Sequence, residues 1–126
     1  MNFTIKQTAP LLPNGCSLIA ENAGVRIGYA HVTVSQTVAT LEDIKVSFFT
    51  TKPFMLFPFY KKTHDYRGKG VGSALLKRVI ALCEGARMSE ISGRIHGDEE
   101  MLRVWYNKFG FEVNGKDIRL NLKKNA

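Results

Sequence analysis

Apolar and polar positions alternate along the first half of the chain, which is the pattern of β-strands. Four segments rich in β-branched and aromatic residues are separated by short turns that contain proline, glycine or asparagine. The four predicted strands are Phe3–Gln7, Cys16–Glu21, Val25–Val34 and Val38–Val46. In the fourth strand the strong apolar positions step from Leu41 to Ile44, which breaks the period of two. A β-bulge there would re-aim the side chains; an error of strand register is the alternative explanation.

The apolar spacing changes to that of a helix in the second half. From Val71 to Glu84, apolar residues recur at intervals that place them on one stripe of a helix, as expected for a helix lying on a sheet. A strand, a second helix and a closing hairpin follow. They are predicted at Ser89–Ile95, from the cap Asp98 to Phe109, and at Phe111–Val113 with Ile118–Leu122. This order predicts an α+β fold with a mixed, mostly antiparallel sheet and one βαβ unit at its centre.

The segment Ser47–Tyr66 does not follow the alternating pattern. It holds five of the eight phenylalanines, two prolines and the polar patch Lys61-Lys62-Thr63-His64. An extra hairpin, an aromatic lid and a homodimer contact are all compatible with this composition, which does not choose among them. We take residues 47–63 as an insertion into a single domain spanning residues 1–126, because 126 residues suffice for one core only.

Several classes of protein are disfavoured by composition. The longest apolar run, Phe54–Tyr60, contains Pro58 and is far shorter than the roughly 20 residues of a membrane-spanning helix. The N-terminus lacks the apolar core of a signal peptide. Cys16 and Cys83 have no metal-ligand spacing and are interpreted as reduced thiols. We therefore expect a cytoplasmic protein with no membrane partner and no metal.

The formal net charge of +7 favours an anionic partner, such as nucleic acid, an acidic protein or a phosphorylated cofactor. A basic surface that serves only solubility is the alternative, because net charge by itself does not identify a ligand.

A glycine-rich turn, Arg67-Gly68-Lys69-Gly70-Val71-Gly72-Ser73, begins the first predicted helix. Glycines let the backbone approach a ligand closely, and the free amides of a helix N-terminus favour phosphate. Arg67 and Lys69 add positive charge beside these amides. A P-loop is excluded because no lysine stands in the required place, and the dinucleotide motif is excluded because Ser73 replaces its third glycine. The turn predicts an anion site, with a ligand-free glycine connection as the alternative.

The pattern Arg67-x-x-Gly70-x-Gly72 before a helix resembles the pyrophosphate-binding motif of the GNAT superfamily of acyl-CoA N-acyltransferases. Upstream, Ala39–Val46 is similar to the fourth strand of that family, whose bulge opens a seat for the thioester. Downstream, Trp105–Phe111 resembles the late helix signature that ends in Tyr-x-x-x-Gly-Phe. The three motifs occur in the family's order within residues 25–113.

The resemblance implies a sheet that is splayed between two central parallel strands, with flanking helices and with acetyl-CoA held in the gap. Two features depart from the family pattern: the helices usual between the first two strands are missing, and the path from Val46 to Arg67 is long. The missing helices leave the acceptor site in doubt, and the aromatic insertion could replace them as a pocket wall. An alternative threading makes Phe54–Lys62 the cofactor strand and moves Val38–Val46 by one place.

Roles for site residues follow from the resemblance. Tyr106 would protonate the leaving sulfur, a core aromatic being the alternative. Glu42 at the bulge, with Asp43 behind it, is the predicted base, although each is also an ordinary surface carboxylate. His64 and His96 are further candidates for proton relay. The predicted cofactor-binding residues are Ile44 and Val46 through their backbone, and Arg67, Gly68, Lys69, Gly70, Val71, Gly72 and Ser73.

The leading hypothesis is an N-acetyltransferase that moves an acetyl group from acetyl-CoA to a primary amine of a small molecule or a protein. The second hypothesis, which is disfavoured, is a basic nucleic-acid-binding module that uses Arg67, Lys69, Lys61 and Lys62. A regulator that binds acyl-CoA without turnover is the third. The sequence does not name the acceptor amine.

Overall fold

The computed structural model describes residues 3–11, 15–46, 48–51, 62–65 and 70–122. Nine strands and two helices lie in these ranges. The strands are β1 (Thr4–Gln7), β2 (Cys16–Asn22), β3 (Val25–Ser35), β4 (Val38–Val46), β5 (Phe48–Thr51), β6 (Lys62–Asp65), β7 (Glu90–Arg94), β8 (Glu112–Asn114) and β9 (Asp117–Asn121). The helices are α1 (Val71–Gly85) and α2 (Glu99–Lys108).

Seven strands form one mixed sheet in the order β1-β2-β3-β4-β7-β9-β8. Every neighbouring pair is antiparallel except β4 and β7, which are parallel. The α+β class and the mostly antiparallel sheet predicted from the sequence are confirmed. Because Val38–Val46 is the strand that pairs with β7, the alternative threading through Phe54–Lys62 is wrong.

The two parallel central strands separate part-way along their length. Four residue pairs join them, from Val38 opposite Glu90 to Leu41 opposite Gly93. Strand β4 then continues to Val46 on the β3 side alone, where its last pair is Gly28 with Val46. The sheet is therefore splayed between β4 and β7, and the second half of β4 borders a gap.

A β-bulge lies at the start of that gap. His31 pairs with Asp43 and Val32 pairs with Leu41, so no β3 residue stands opposite Glu42 in the strand register. The bulge predicted from the break in apolar period is confirmed. Before it, Ala39 and Leu41 point into the core; after it, Ile44 and Val46 pack against the core instead. The extra residue thus shifts the alternation of the strand by one position.

The core lies between one face of the sheet and both helices. Residues Leu75, Leu76 and Val79 of α1 are fully buried against β2, β3 and β4, and α2 adds Tyr106 to the same cluster. Gly28 allows α1 to approach β3 closely. A Cβ at Gly28 would lie 2.9 Å from the Lys45 carbonyl oxygen and 3.3 Å from side-chain atoms of Leu75 and Val71.

The other face of the sheet carries polar side chains that are bonded in pairs across neighbouring strands. The pairs are Ser17 Oγ with His31 Nδ1 (2.8 Å), Tyr29 with Asp43 (2.6 Å) and Thr33 with Glu42 (2.7 Å). Within the described residues that connect β1 and β2, no helix covers this face.

The aromatic insertion contributes a second, two-stranded sheet. Strands β5 and β6 pair antiparallel from Phe48 opposite Asp65 to Thr51 opposite Lys62. Of the three alternatives for the insertion, the hairpin is therefore confirmed in its described arms. The lid and the homodimer contact depend on residues 52–61, which lie outside the described part of the chain, and they stay predictions.

Candidate active site

Helix α1 begins at the gap in the sheet. Its N-cap residue, Gly70, has a left-handed backbone (φ 83°), and no side chain of the described residues caps the helix. The amides of Val71, Gly72 and Ser73 in the first turn therefore have no capping partner there. A left-handed residue followed by helical ones directs successive amides toward one point, which is a binding geometry for anions. Arg67, Gly68 and Lys69 lie outside the described residues.

A cavity of about 370 Å³ lies between the second half of β4, the start of α1 and helix α2. Its walls are mainly apolar, and a few polar groups converge on it, as is usual for small-molecule sites. The residues that line it are Leu41, Asp43, Ile44, Lys45, Val46, Gly70, Gly72, Ser73, Arg94, His96, Met101, Leu102, Trp105 and Tyr106.

Tyr106 lies in the wall of this cavity and is only 3% exposed. The end of α2 holds it there. Gly110 has φ 92°, which lets the chain reverse, and the Phe111 amide then donates to the Tyr106 carbonyl oxygen (3.2 Å). The Phe111 ring meets the Tyr106 ring edge to face, with centroids 5.4 Å apart. The Tyr-x-x-x-Gly-Phe pattern thus has a local physical purpose, which is to fix the orientation of the phenol.

The phenol of Tyr106 is kept protonated by its surroundings. Burial, and secondarily the negative charge of Asp43, raise the pKa of Tyr106 from 10 to about 12. Asp43 lines the same cavity and accepts a hydrogen bond from the Tyr29 hydroxyl (2.6 Å). The phenol therefore carries its proton at neutral pH, where it is available for donation to a substrate. It ionises only at strongly alkaline pH.

This pKa predicts a pH dependence of stability. Between pH 10 and about 12 the folded protein retains a proton that the unfolded chain releases, so the contribution of Tyr106 is complete below pH 10 and is lost as the pH rises to about 12. The loss amounts to about 2–3 kcal/mol. Urea unfolding between pH 9 and 12 is expected to show a shallower decline of the unfolding free energy in Tyr106→Phe than in the wild type. Equal slopes would contradict the raised pKa.

Trp105 connects the two helices across the cavity. Its indole Nε1 donates a hydrogen bond to Ser73 Oγ in the first turn of α1 (3.2 Å). A Cβ on Gly72 would lie 3.6 Å from the indole ring and 3.5 Å from Val46 Cγ2. The indole also meets the Tyr106 ring edge to face, with centroids 4.9 Å apart. Trp105 thereby sets the distance between the first turn of α1 and the buried phenol.

A second, more open cavity contains Glu42. It is built on the polar face of the sheet, where β4, β7, β8 and β9 run side by side. Its lining residues are Thr40, Leu41, Glu42, Ser92, Gly93, Arg94, His96, Glu112, Asn114, Asp117, Ile118 and Arg119. Glu42 is exposed and accepts a hydrogen bond from Thr33 Oγ1, and Arg94 Nε lies 3.6 Å from Asp117 Oδ1.

The structure thus brings together most of the described residues that the sequence singled out. Tyr106, Ile44, Val46, Gly70, Gly72 and Ser73 line the first cavity, and Val71 is buried beside them. Glu42 lies in the second cavity, whereas its neighbour Asp43 faces the first. Sequence reasoning did not find the role of Trp105 in the cavity wall. Its place next to Tyr106 in the sequence was the available indication.

The helices and the metal-binding side-chain types bear on membrane and metal binding. In the part of the chain that the structure describes, no helix is long and apolar enough to cross a membrane. Among the same residues, no group of three or more histidine, cysteine, aspartate or glutamate side chains is placed to hold a metal ion.

Several solved structures share this fold. A GNAT family acetyltransferase from Elizabethkingia anophelis with acetyl-CoA bound matches with a TM-score of 0.68 at 15% identity, over 95% of this chain and 98% of that one. The ribosomal-protein-S18-alanine N-acetyltransferase from Escherichia coli matches with a TM-score of 0.66 at 19% identity, over 86% and 69%. PaiA N-acetyltransferase from Thermoplasma acidophilum, in complex with coenzyme A, matches with a TM-score of 0.61 at 19% identity. The match covers 83% of this chain but only 59% of the PaiA chain.

Among curated proteins, none matches the sequence significantly. The family model of the acetyltransferase (GNAT) domain, by contrast, matches residues 13–113. This range includes the bulged strand, the glycine turn and the Tyr106–Phe111 signature, and it covers most of the 126 residues. The chain therefore belongs to the GNAT acetyltransferase family.

Proposed function

We propose that this protein is an N-acetyltransferase that moves the acetyl group of acetyl-CoA to a primary amine. The observation that carries the proposal is a cavity with a helix start that no described side chain caps at one end and a buried tyrosine of raised pKa in its wall. Acetyl-CoA has the matching chemistry, since it combines a pyrophosphate with a thioester whose sulfur must be protonated as it leaves.

The residues present fit this co-substrate. The first-turn amides of Val71, Gly72 and Ser73 would hold the pyrophosphate, and Arg67 and Lys69 of the same turn would add charge. The backbone of Ile44 and Val46 borders the gap beyond the last β4–β7 pair, where a pantetheine arm could lie as an added strand. Gly72 keeps open the space between Val46 and Trp105. When bound, acetyl-CoA supplies an activated acetyl thioester.

Tyr106 acts as the general acid in this proposal. Its hydroxyl gives a proton to the sulfur as the C–S bond breaks, which avoids release of a free thiolate. Asp43 supports the role electrostatically, because its negative charge disfavours ionisation of the phenol.

The acceptor amine enters from the second cavity, on the polar face of the sheet. An alkyl ammonium has a pKa of about 10.4, so it arrives charged at neutral pH. Glu42 is suited to receive this charge, since it is exposed in that cavity and its one described partner, Thr33, is neutral. Glu42 as the base stays a prediction. The amine of either a small molecule or a protein fits an open site of this kind.

The test is ligand-dependent thermal stability followed by turnover. Acetyl-CoA is expected to raise the melting temperature in a saturable way, and a short DNA duplex at equal concentration is expected not to. Release of free CoA in the presence of a panel of primary amines would then establish transfer. No stabilisation by acetyl-CoA would overturn the proposal; stabilisation without CoA release from any amine would favour a non-catalytic acyl-CoA-binding protein.

A further inference from the structure

The two cavities share three lining residues, Leu41, Arg94 and His96. They lie where the central strands separate: Leu41 is in the last pair between β4 and β7, and Arg94 ends β7. Groups bound in the two cavities would therefore meet at these side chains. In the proposed function these are the thioester on one side and the amine on the other.

Of these three residues, only His96 can take up a proton. Leu41 is apolar and buried. The guanidinium of Arg94 is always protonated in proteins, and its Nε faces Asp117 Oδ1 at 3.6 Å. A histidine side chain has one ring nitrogen that accepts a proton when the ring is neutral. His96 is exposed, so its ring is accessible from the open cavity.

The backbone is anchored just before His96, and a glycine follows it. Ile95 is buried and its amide donates to the Lys116 carbonyl oxygen (2.7 Å). Gly97 follows with φ 123°, a conformation that glycine adopts without strain. Each of the two neighbouring carboxylates lines one cavity only, Glu42 the second and Asp43 the first. His96 is therefore the side chain that reaches both cavities, has a proton-accepting nitrogen and makes no hydrogen bond to another described residue that would compete for it.

We propose that His96 is a further catalytic residue, which accepts the proton of the incoming ammonium where the two cavities meet. The inference rests on the proposed function. The ammonium gives one proton to an imidazole nitrogen, and the neutral amine forms a bond to the thioester carbon as the C–S bond breaks. Tyr106 protonates the departing sulfur. It regains a proton from the attacking amine nitrogen, which becomes the nitrogen of the amide. His96 returns its proton to solvent, so one acetamide, one CoA thiol and one proton are formed.

Two small amines of similar size test this role, because they differ in whether a proton must be removed. Ethylamine is protonated at pH 7.5, whereas methoxyamine is neutral. With saturating acetyl-CoA, His96→Ala is expected to lower CoA release to ethylamine by about a hundredfold or more and to leave release to methoxyamine within a few fold of wild type. His96→Gln keeps a hydrogen-bonding group and is expected to behave like His96→Ala. His31→Gln is the matched control, since His31 lines neither cavity.

Each outcome decides between distinct conclusions. Equal losses for both amines, or rescue by His96→Gln, would reduce His96 to a structural or hydrogen-bonding role and overturn the inference. Unchanged rates with both amines would also overturn it. A wild-type protein that releases CoA to neither of these amines, and to none of the primary amines in the panel described above, would overturn the proposed function itself.

A second readout does not depend on turnover. The ring resonances of His96, assigned by their absence from the spectrum of His96→Gln, are expected to shift when ethylamine is added to the protein bound to CoA. Those of His31 are expected to stay in place. Ethylamine that leaves the His96 resonances unchanged at concentrations supporting transfer would contradict direct contact with the amine.

Discussion

Replacing Tyr106 with phenylalanine is expected to lower kcat for CoA release by about two to four orders of magnitude. The substitution removes one hydroxyl and leaves the ring, whose edge-to-face contacts with Trp105 and Phe111 are retained. Because the lost group is the proton donor to the leaving sulfur, the effect should fall on kcat and not on the affinity for acetyl-CoA. The measurement is steady-state CoA release together with acetyl-CoA titration by thermal stability.

Phe109→Leu offers a control for altered packing. Phe109, the residue just after α2, meets Trp105 edge to face but does not line the first cavity. Its replacement is expected to cost stability and to leave kcat within a few fold of wild type. An unchanged kcat in Tyr106→Phe would remove Tyr106 from the mechanism.

Replacing Ser73 with aspartate is expected to act in opposite directions on the free protein and on the complex. The first turn of α1 contains no acidic residue, and a carboxylate there is favourable to the helix dipole by about 0.3–1 kcal/mol. The same charge would repel the pyrophosphate by about 4 kcal/mol at a separation of about 4 Å. The melting temperature without ligand should hold or rise, while the Kd for acetyl-CoA rises by roughly two to three orders of magnitude.

Ser73→Asn is the matched control, because the amide oxygen can still accept from Trp105 Nε1 but carries no charge. Its affinity for acetyl-CoA is expected to fall by less than tenfold. Should Ser73→Asp bind acetyl-CoA as tightly as Ser73→Asn, the anion would have to lie away from the start of α1.

Most of the fold follows from local pattern. Strand β4 was predicted with its observed bounds, Val38–Val46, and α1 was predicted to within a residue, because period and turn chemistry are local properties. Asp98 caps α2 as expected, accepting from the Met101 amide (3.1 Å). The pairing of β5 with β6 was left among three alternatives, since its two arms are separated by residues 52–61 and pairing over such a distance leaves no periodic trace.

The candidate site was predicted in its parts but not in its arrangement. The glycine turn and the Tyr106 signature each carry a local backbone requirement, which is why the sequence displays them. The break in the apolar period predicts the bulge. It does not predict which of the two adjacent side chains, Glu42 or Asp43, shares a cavity with Tyr106. Arg94 and His96 line both cavities because of where β4 and β7 separate, and that point is a property of the tertiary fold.

The bulge at Glu42 also determines how strand β4 would respond to the loss of a residue. Deleting Glu42 would remove the bulge and leave Leu41 opposite Val32 and Asp43 opposite His31. Ile44 would stay opposite Ala30 and Val46 opposite Gly28, so both would keep facing the core. A single codon lost at Glu42 would therefore take one carboxylate from the second cavity and leave the two faces of β4 as they are.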